Sequence, residues 1–265
     1  MKPDGLPNIM RSNRLRMRRL FSPRPKDRAK NPAMITGTYS PQKSDLGSPW
    51  CRSRRKRWMD ILSSSLGLLL LSPLLLIIAL SVAITSGEPI FFRQWRLGQN
   101  GREFQMHKFR TMRPATDIGL GVTQKGDPRI TSVGQWLRRW KLDELPQLYN
   151  VLRGEMSLVG PRPDLESVWL RASDADRRVL QLKPGLTGAA SVAFQDEESL
   201  LATVPTEGLT SFYMERLLPQ KAKLESEYAA QATFRSDCRI LLQTLLVPFL
   251  HRRSMAKEID RMASR

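Results

Sequence analysis

Apolar positions along this chain fall into several distinct patterns. The longest is a run of 24 residues without a charge, Ile61 to Ile84, which meets the roughly 20 residues a helix needs to cross a bilayer. Ser72-Pro73 sits at its centre, where proline removes a backbone hydrogen bond and bends a helix. Both flanks are basic: Arg52, Arg54, Arg55, Lys56 and Arg57 precede the run, and Arg93, Arg96 and Arg102 follow it. Cations mark the cytoplasmic side of a membrane segment, so both ends are placed on one face. A plain spanning helix stays open on these residues. A helix broken at Ser72-Pro73 that enters and leaves by the same face satisfies both observations. A secretory signal does not fit, because the run is too long, lies too far in and lacks a small-residue cleavage site.

Downstream the pattern shortens. Gly87–Met112 contains Gln99-Asn100-Gly101, a hairpin turn between two short strands. Alternation in Phe104–Met112 places Lys108 and Arg110 on one face and His107 and Phe109 on the other. A solvated strand face is the ordinary fate of such a cationic pair. The loop from Arg113 to Arg129 holds Gly119, Gly121 and Gly126 but no phosphate-loop or dinucleotide pattern. Thr131 or Ser132 can cap a short helix with Val133, Trp136, Leu137 and Trp140 on one side, bordered by Arg138, Arg139 and Lys141. An interfacial helix has that pattern, and so does one packed on a core. Further helices are predicted over Leu165–Leu182 and Tyr213–Pro248, separated by a turn-rich loop at Lys183–Gly188. In the second helix Leu217, Leu218, Leu224, Tyr228, Ile240, Leu241, Leu245 and Leu246 are the apolar positions. Its last stretch, Arg239–Leu250, is apolar enough to lie on a membrane surface. No internal repeat is visible.

Charge sharpens this outline. The net charge of the 265 residues is +18. Residues 1–57 carry 16 Lys and Arg against 3 Asp and Glu, a surplus of 13, which leaves +5 for the other 208. The folded part is therefore only modestly basic. The N-terminal 50 residues, rich in Arg, Lys, Pro and Ser, are expected to be disordered. An anionic partner follows, nucleic acid or the anionic leaflet of a membrane. Cys51 and Cys238 lie far apart without metal-ligand spacing, and His107 and His251 are the only histidines. Neither a disulfide framework nor a multi-His site is available, so catalysis must run on carboxylates, cations and backbone.

The chemistry gathers in Lys141–Pro163. Asp143 and Glu144 are adjacent, Pro146 follows, and a Gly160-Pro161-Arg162-Pro163 turn closes the stretch. Arg138, Arg139 and Lys141 stand just upstream, and Arg153 and Arg162 downstream. Two acids among so many cations suit a phosphorylated, metal-carrying substrate, and Arg138, Arg162, Lys108, Arg110 and Arg153 are the phosphate-binding candidates. Taken alone, the pair also fits a helix start, with Asp143 as the cap and Glu144 and Pro146 in the first turn. A second acidic pair, Asp174-Ala175-Asp176, matches the DxD metal pattern of nucleotide-sugar glycosyltransferases. It lies in a polar helical run with no strand before it, which points to a solvated face.

From Arg54 to Leu246 the chain resembles the bacterial sugar transferases, the monotopic phosphoglycosyl transferases that start polysaccharide assembly on a polyprenyl carrier. The resemblance rests on the Trp58-Met59-Asp60 start and the apolar helix broken at Ser72-Pro73. It continues through Gly87-Glu88-Pro89-Ile90-Phe91-Phe92-Arg93-Gln94, Lys108-Phe109-Arg110-Thr111-Met112, Asp127-Pro128-Arg129-Ile130-Thr131 and Leu142-Asp143-Glu144-Leu145-Pro146-Gln147. Met156-Ser157-Leu158-Val159-Gly160-Pro161-Arg162-Pro163 and Lys183-Pro184-Gly185-Leu186-Thr187-Gly188 complete it, in the same order. It implies transfer of a sugar 1-phosphate from a nucleoside diphosphate sugar, expected to be a UDP-sugar, to polyprenyl phosphate with release of UMP. Asp143 falls on the family's nucleophile, and Glu144 is expected to ligate Mg²⁺. It also implies a mainly helical α+β fold with a re-entrant membrane hairpin and interfacial helices, sited on the cytoplasmic face of a bacterial inner membrane.

The expected layout is a basic segment (1–50), the basic flank and membrane helix (51–86), the catalytic domain (87–250) and a basic tail (251–265). The basic segment stands where larger relatives carry a four-helix membrane domain. After Thr187-Gly188 the family often continues with Trp or Leu, Ala and Gln and then Asn-Gly-Arg. Here the chain runs Ala189-Ala190-Ser191-Val192-Ala193-Phe194, a departure that bears on which sugar or carrier is accepted. Nucleic acid is not an expected partner, since no aromatic-basic recognition motif is present; a homodimer stays open. The competing readings are a non-catalytic, membrane-tethered basic adaptor and a direct nucleotide-sugar glycosyltransferase.

Overall fold

A computed structural model of the protein describes residues 46–113 and 126–246. The predicted disordered segment as far as residue 45, Gly119 and Gly121, the end of the last predicted helix and the basic tail lie outside the described residues. Helix α1 (Arg54–Leu70) starts at Ser53, whose hydroxyl accepts the Lys56 N–H at 3.0 Å. Helix α2 (Ser72–Ser86) follows after Leu71 at a bend of 62°. Pro73 falls in the first turn of α2, where its missing N–H leaves no gap. The proline at the centre of the run thus begins a second helix. Among the described residues no single helix is long and apolar enough to cross a membrane; the bent pair together is.

The pair has two unlike faces. Leu62, Leu66, Leu69, Leu76, Leu80 and Ile84 are exposed. The opposite side buries Asp60 and Ser64 from α1 and Ile78 and Val82 from α2. Asp60 Oδ1 accepts the Leu158 N–H at 3.0 Å and the Ser157 hydroxyl at 3.1 Å, pinning α1 to the strand that leads into the Gly160–Pro163 turn.

Strands β1 (Phe91–Leu97) and β2 (Glu103–Phe109) form an antiparallel hairpin in which Phe91 faces Phe109 and Leu97 faces Glu103. Asn100 and Gly101, both at positive φ, make the turn where the sequence predicts it. The alternation holds, but the cationic face of β2 is not solvated. Phe104 and Met106 bury into a core with Leu148, Val151 and Met156, and Lys108 continues that row inward.

Thr131 caps α3 (Ser132–Arg139), its hydroxyl accepting the Gly134 N–H at 3.0 Å. A Cβ at Gly134 would lie 2.1 Å from the Thr111 carbonyl oxygen, so the start of α3 packs on the β2 extension only because that residue is glycine. A single 3₁₀ turn (Leu142–Glu144) leads into α4 (Gln147–Arg153). The capping alternative for Asp143 is thereby corrected: the residue before α4 is Pro146, and no side chain caps the helix.

Three further expectations are corrected. Lys183–Gly188 is not a loop: strand β4 (Gly185–Thr187) pairs in parallel with β3 (Ser157–Val159). The signal was hidden by glycine, which the strands need here because a Cβ on Gly185 would lie 2.2 Å from the Gly160 nitrogen. The Leu165–Leu182 helix is broken into turns at Glu166–Trp169, Asp174–Arg177 and Arg178–Gln181. Ser173 starts the second by accepting the Asp176 N–H at 3.2 Å. After the short helices α5 (Ala189–Ala193) and α6 (Glu197–Leu201), the long C-terminal helix is also interrupted. Helix α7 (Leu218–Gln231) stops before Ala232, and α8 (Phe234–Leu246) begins after it. Thr233 and Ser236 cap the break reciprocally, Ser236 N–H to Thr233 Oγ1 at 3.2 Å and Thr233 N–H to Ser236 Oγ at 2.8 Å.

The resulting fold is α+β and mainly helical, with two small two-stranded sheets among the described residues. Three apolar clusters hold it together. The first lies around Trp169, Phe194, Tyr213 and Leu217, the second around Phe104, Val151, Met156 and Ile240, and the third around Ile78, Val82, Phe109 and Leu137. Leu142 packs on the third cluster and Leu148 on the second, so the Asp143–Glu144 turn is held from both sides.

Candidate active site

The turn that carries the two acids is set by Lys141, which takes up the left-handed conformation at φ 56°. That reversal ends the α3 direction and drives Asp143 and Glu144 inward, where they are 6% and 8% exposed. A non-glycine residue held at positive φ stores strain of order 1 kcal/mol, and such positions gather at functional sites.

The two carboxylates meet opposite surroundings. Arg162 donates to Glu144 through Nη2 at 2.6 Å and Nη1 at 3.3 Å, and Lys108 Nζ donates to Oε1 at 2.8 Å. Among the described residues, Asp143 accepts no hydrogen bond. Burial alone would raise the affinity of Glu144 for a proton. The Arg162 and Lys108 charges overcome this and hold it well below the usual carboxylate range. Burial, and then the negative charge of Glu144, hold Asp143 above its ordinary value against the pull of Lys108, Arg138 and Lys141. Glu144 in turn keeps Arg162 firmly protonated despite its burial. One acid is thus a fixed anion that positions two cations. Its neighbour is more basic, accepts no hydrogen bond among the described residues and is drawn on by Lys108, Arg138 and Lys141, which suits a nucleophile.

Both acids line a cavity of about 1220 Å³ that runs from the α1–α2 junction at Leu71 to Tyr213 and Lys221. The structure does not bring all the predicted cations to it equally. Lys108 and Arg162 grip Glu144. Arg138 lines the cavity and bears electrostatically on Asp143, yet its guanidinium is paired with Glu198 and lies 3.7 Å from the Met112 sulfur. Arg110 also lines it but donates to the Glu88 and Gly87 carbonyls at 2.8 and 3.1 Å, which ties it to the end of α2. Arg153 is elsewhere. It ends α4 on the surface, 3.3 Å from Glu155 and stacked over Tyr149, because the helix phase turns it away from the Glu144 side. Ser72 and Pro73 flank the hairpin junction next to Leu71.

Among the described residues no three His, Cys, Asp or Glu side chains gather as a metal cage. Mg²⁺ commonly takes only one or two carboxylates and completes its shell with water and substrate phosphate, and the dyad offers that number. Glu144 is free for such a role only where phosphate oxygens take over Arg162 or Lys108. The Asp174–Asp176 pair sits on the surface, with Asp174 95% exposed beside Arg177, as a solvated face should.

Several residues of the site carry no sequence signal. Asn150 is fully buried and donates to the Gln105 carbonyl at 2.8 Å, fastening α4 to β2 beneath Lys108. Glu197 and Glu198 lie in an acidic run that looks like surface. Lys221 shares a polar helical run with Lys223, although its spacing with Leu217, Leu218 and Leu224 would have put it beside an apolar stripe.

The chain is similar in sequence to several curated proteins. The chain is 44% identical over 155 residues to the UDP-glucose:undecaprenyl-phosphate glucose-1-phosphate transferase of Xanthomonas campestris pv. campestris, covering 56% of this chain and 32% of that protein. It is 33% identical over 207 residues to the galactosyl transferase CpsE of Streptococcus agalactiae, covering 74% of this chain and 42% of that one. The exopolysaccharide production protein ExoY of Rhizobium meliloti is 40% identical over 165 residues, covering 56% of this chain and 73% of ExoY. The chain thus spans about a third of the length of the first relative and less than half of the second. The family model described as bacterial sugar transferase matches residues 51–251, and the chain belongs to that family.

Proposed function

We propose that the chain transfers a sugar 1-phosphate from a UDP-sugar to polyprenyl phosphate, releasing UMP, by way of a phosphosugar bound covalently to Asp143. The observation that carries this reading is the unequal dyad: among the described residues Asp143 accepts no hydrogen bond in a cationic cavity, beside a Glu144 already bound to Arg162 and Lys108. Asp143 attacks the phosphorus that bears the sugar, and the bond to the bridging oxygen breaks, its electron pair leaving with UMP. The phosphate of the polyprenyl carrier then attacks the same phosphorus. The aspartyl bond breaks, Asp143 returns as a carboxylate, and a polyprenyl diphosphate sugar is formed. Arg162 and Lys108, held by Glu144, face the phosphate oxygens and stabilise the charge that builds there. Mg²⁺ held by Glu144 and the donor's phosphates, once phosphate oxygens take over Arg162 or Lys108, would add further charge neutralisation.

The membrane arrangement follows from the same reading. The exposed apolar face of α1–α2, with Trp58 at its basic end, sits in the cytoplasmic leaflet of the inner membrane as a re-entrant hairpin. Exposed Trp136 on α3 and Leu242 and Leu245 on α8 lie at the interface. A hairpin of this kind would hold the dyad at the headgroup level, where the carrier's phosphate lies. The relatives' names support the substrates, since two speak of undecaprenyl phosphate and exopolysaccharide production. The chain would thereby start assembly of an exopolysaccharide, capsule or related glycan. An adaptor without catalysis would have no use for a buried, strained acidic turn, and a direct glycosyltransferase finds no support in the solvated Asp174–Asp176 pair.

The test is nucleotide release. Full-length protein in nanodiscs, given Mg²⁺, undecaprenyl phosphate and a panel of UDP-sugars, is expected to release UMP with at least one sugar. UDP as the product would refute the reaction.

A further inference from the structure

The cavity that holds the dyad has two unlike ends. Toward the hairpin it is walled by Gly67, Leu71 and Leu74 with Leu241 and Leu245 of α8. The far wall is polar and largely enclosed. Lys221, its side chain 8% exposed, donates to Glu197 Oε1 at 3.0 Å and Oε2 at 2.9 Å and lies 3.5 Å from the Tyr213 hydroxyl. Tyr213 donates to Asp164 Oδ2 at 3.3 Å, and Arg96 lies 3.8 Å from Asp164 Oδ1. All five residues line the cavity.

Two features set this wall apart from ordinary core. A desolvated ion pair adds little or nothing to stability compared with apolar residues of the same volume, yet here two occur side by side. Their charges also cancel, with Arg96 and Lys221 against Asp164 and Glu197. The dyad end, with Lys108, Lys141, Arg138 and Arg162, answers the charge of a diphosphate; the far wall answers an uncharged group rich in hydroxyls. Helix α5, which falls in the stretch where the chain departs from the family pattern, packs against α7, the bearer of Lys221. Ser191 and Gln195 from that region line the same cavity.

We propose that the Glu197–Lys221–Tyr213 wall is the subsite for a hydroxyl-bearing, uncharged ring of the nucleotide-sugar donor, hexose or ribose, and that Glu197 and Lys221 discriminate its hydroxyls. The proposal rests on the reaction assigned above. Glu197 presents acceptors and Lys221 donors in a fixed frame, and a ring held there leaves the diphosphate at the cationic centre. A site built to hydrogen-bond a hydroxyl strongly rejects the analogue that misplaces it.

Full-length Glu197→Gln and Lys221→Met in nanodiscs test this, with kcat/KM measured for UDP-glucose and UDP-galactose and inhibition measured with UMP. If the ring is the hexose, the ratio between the two donors is expected to change by about tenfold or more, with UMP inhibition within about twofold of wild type. If it is the ribose, UMP inhibition weakens by about tenfold and the donor ratio holds. Variants that melt like wild type and change neither quantity would overturn the proposal and make the wall structural. Should Lys221→Met fail to fold, Glu197→Gln, which keeps size and one acceptor, decides alone. If wild type releases no UMP with any sugar, the failure lies with the assigned reaction. Calorimetric binding of UDP-glucose, UDP-galactose and UMP to wild type and Glu197→Gln then decides the subsite by the same criteria.

Discussion

The chain carries two short acidic pairs, and their fates differ completely. Asp174 and Asp176 start a one-turn helix at the surface, satisfied by Ser173 and Arg177 and open to water. Asp143 and Glu144 are driven inward by a left-handed residue and surrounded by Arg162, Lys108, Lys141 and Arg138. The same functional groups are solvated and locally paired in the first setting. In the second, burial and unequal pairing split them into a fixed anion and a more basic carboxylate. Composition does not separate the two pairs; the fold around them does.

Asp143→Asn breaks that comparison most severely. It should lower kcat on the order of 10⁴-fold or more, while donor binding measured by calorimetry survives. Glu144→Gln should lower kcat less but also destabilise the protein, because it strands two cations. The cost in a melting or denaturant experiment is expected at about 2–3 kcal/mol. That is below the 3–5 typical of a fully buried pair, since the Arg162 side chain keeps 35% of its surface exposed. Arg162→Lys keeps the charge and loses the forked geometry, so kcat/KM should fall roughly 10- to 100-fold with a smaller loss of stability.

The pH profile sharpens the account further. In the proposed reaction Asp143 would attack only as a carboxylate, and its proton affinity is raised in the folded protein, first by burial and then by Glu144. Activity should therefore fall away on acidification at a pH above the ordinary carboxylate value of about 3.9. In Glu144→Gln that acid limb should move to lower pH, because a repelling anion is gone and Lys108 is released toward Asp143. A limb that stays in place would separate Asp143 from the rate. The smallest effect belongs to the surface pair: Asp174→Asn with Asp176→Asn should leave UMP release unchanged and stability within about 0.5 kcal/mol.

Much of this was legible in the chain because it is local. Gln99-Asn100-Gly101 announces its hairpin, Thr131 its helix, and Ser72-Pro73 its break; Asp143 and Glu144 stand out against their basic surroundings. What stayed hidden depends on distant partners. Strand β4 is a three-residue strand read as a loop, since its Gly185 is required by the Gly160 backbone 25 positions earlier. The α7–α8 break was written in Thr233 and Ser236, but the apolar spacing on either side concealed it. Arg153 and Arg162 are equally basic, and Arg153 is the nearer to the dyad in sequence, yet the helix phase turns Arg153 away while the Gly-Pro-Arg-Pro turn brings Arg162 onto Glu144. Lys221 and Glu197 become a wall of the site only when α6 and α7 meet.

The central claim is that Asp143 carries the phosphosugar, and it is most directly tested by trapping. Full-length protein in nanodiscs would be incubated with Mg²⁺ and a turned-over UDP-sugar in the absence of polyprenyl phosphate, quenched, and weighed intact by mass spectrometry. The account predicts a mass gain of one sugar phosphate that maps to the peptide containing Asp143, is absent in Asp143→Asn and disappears when polyprenyl phosphate is added. UMP release with wild-type turnover but no adduct, or an adduct that persists in Asp143→Asn, would contradict it.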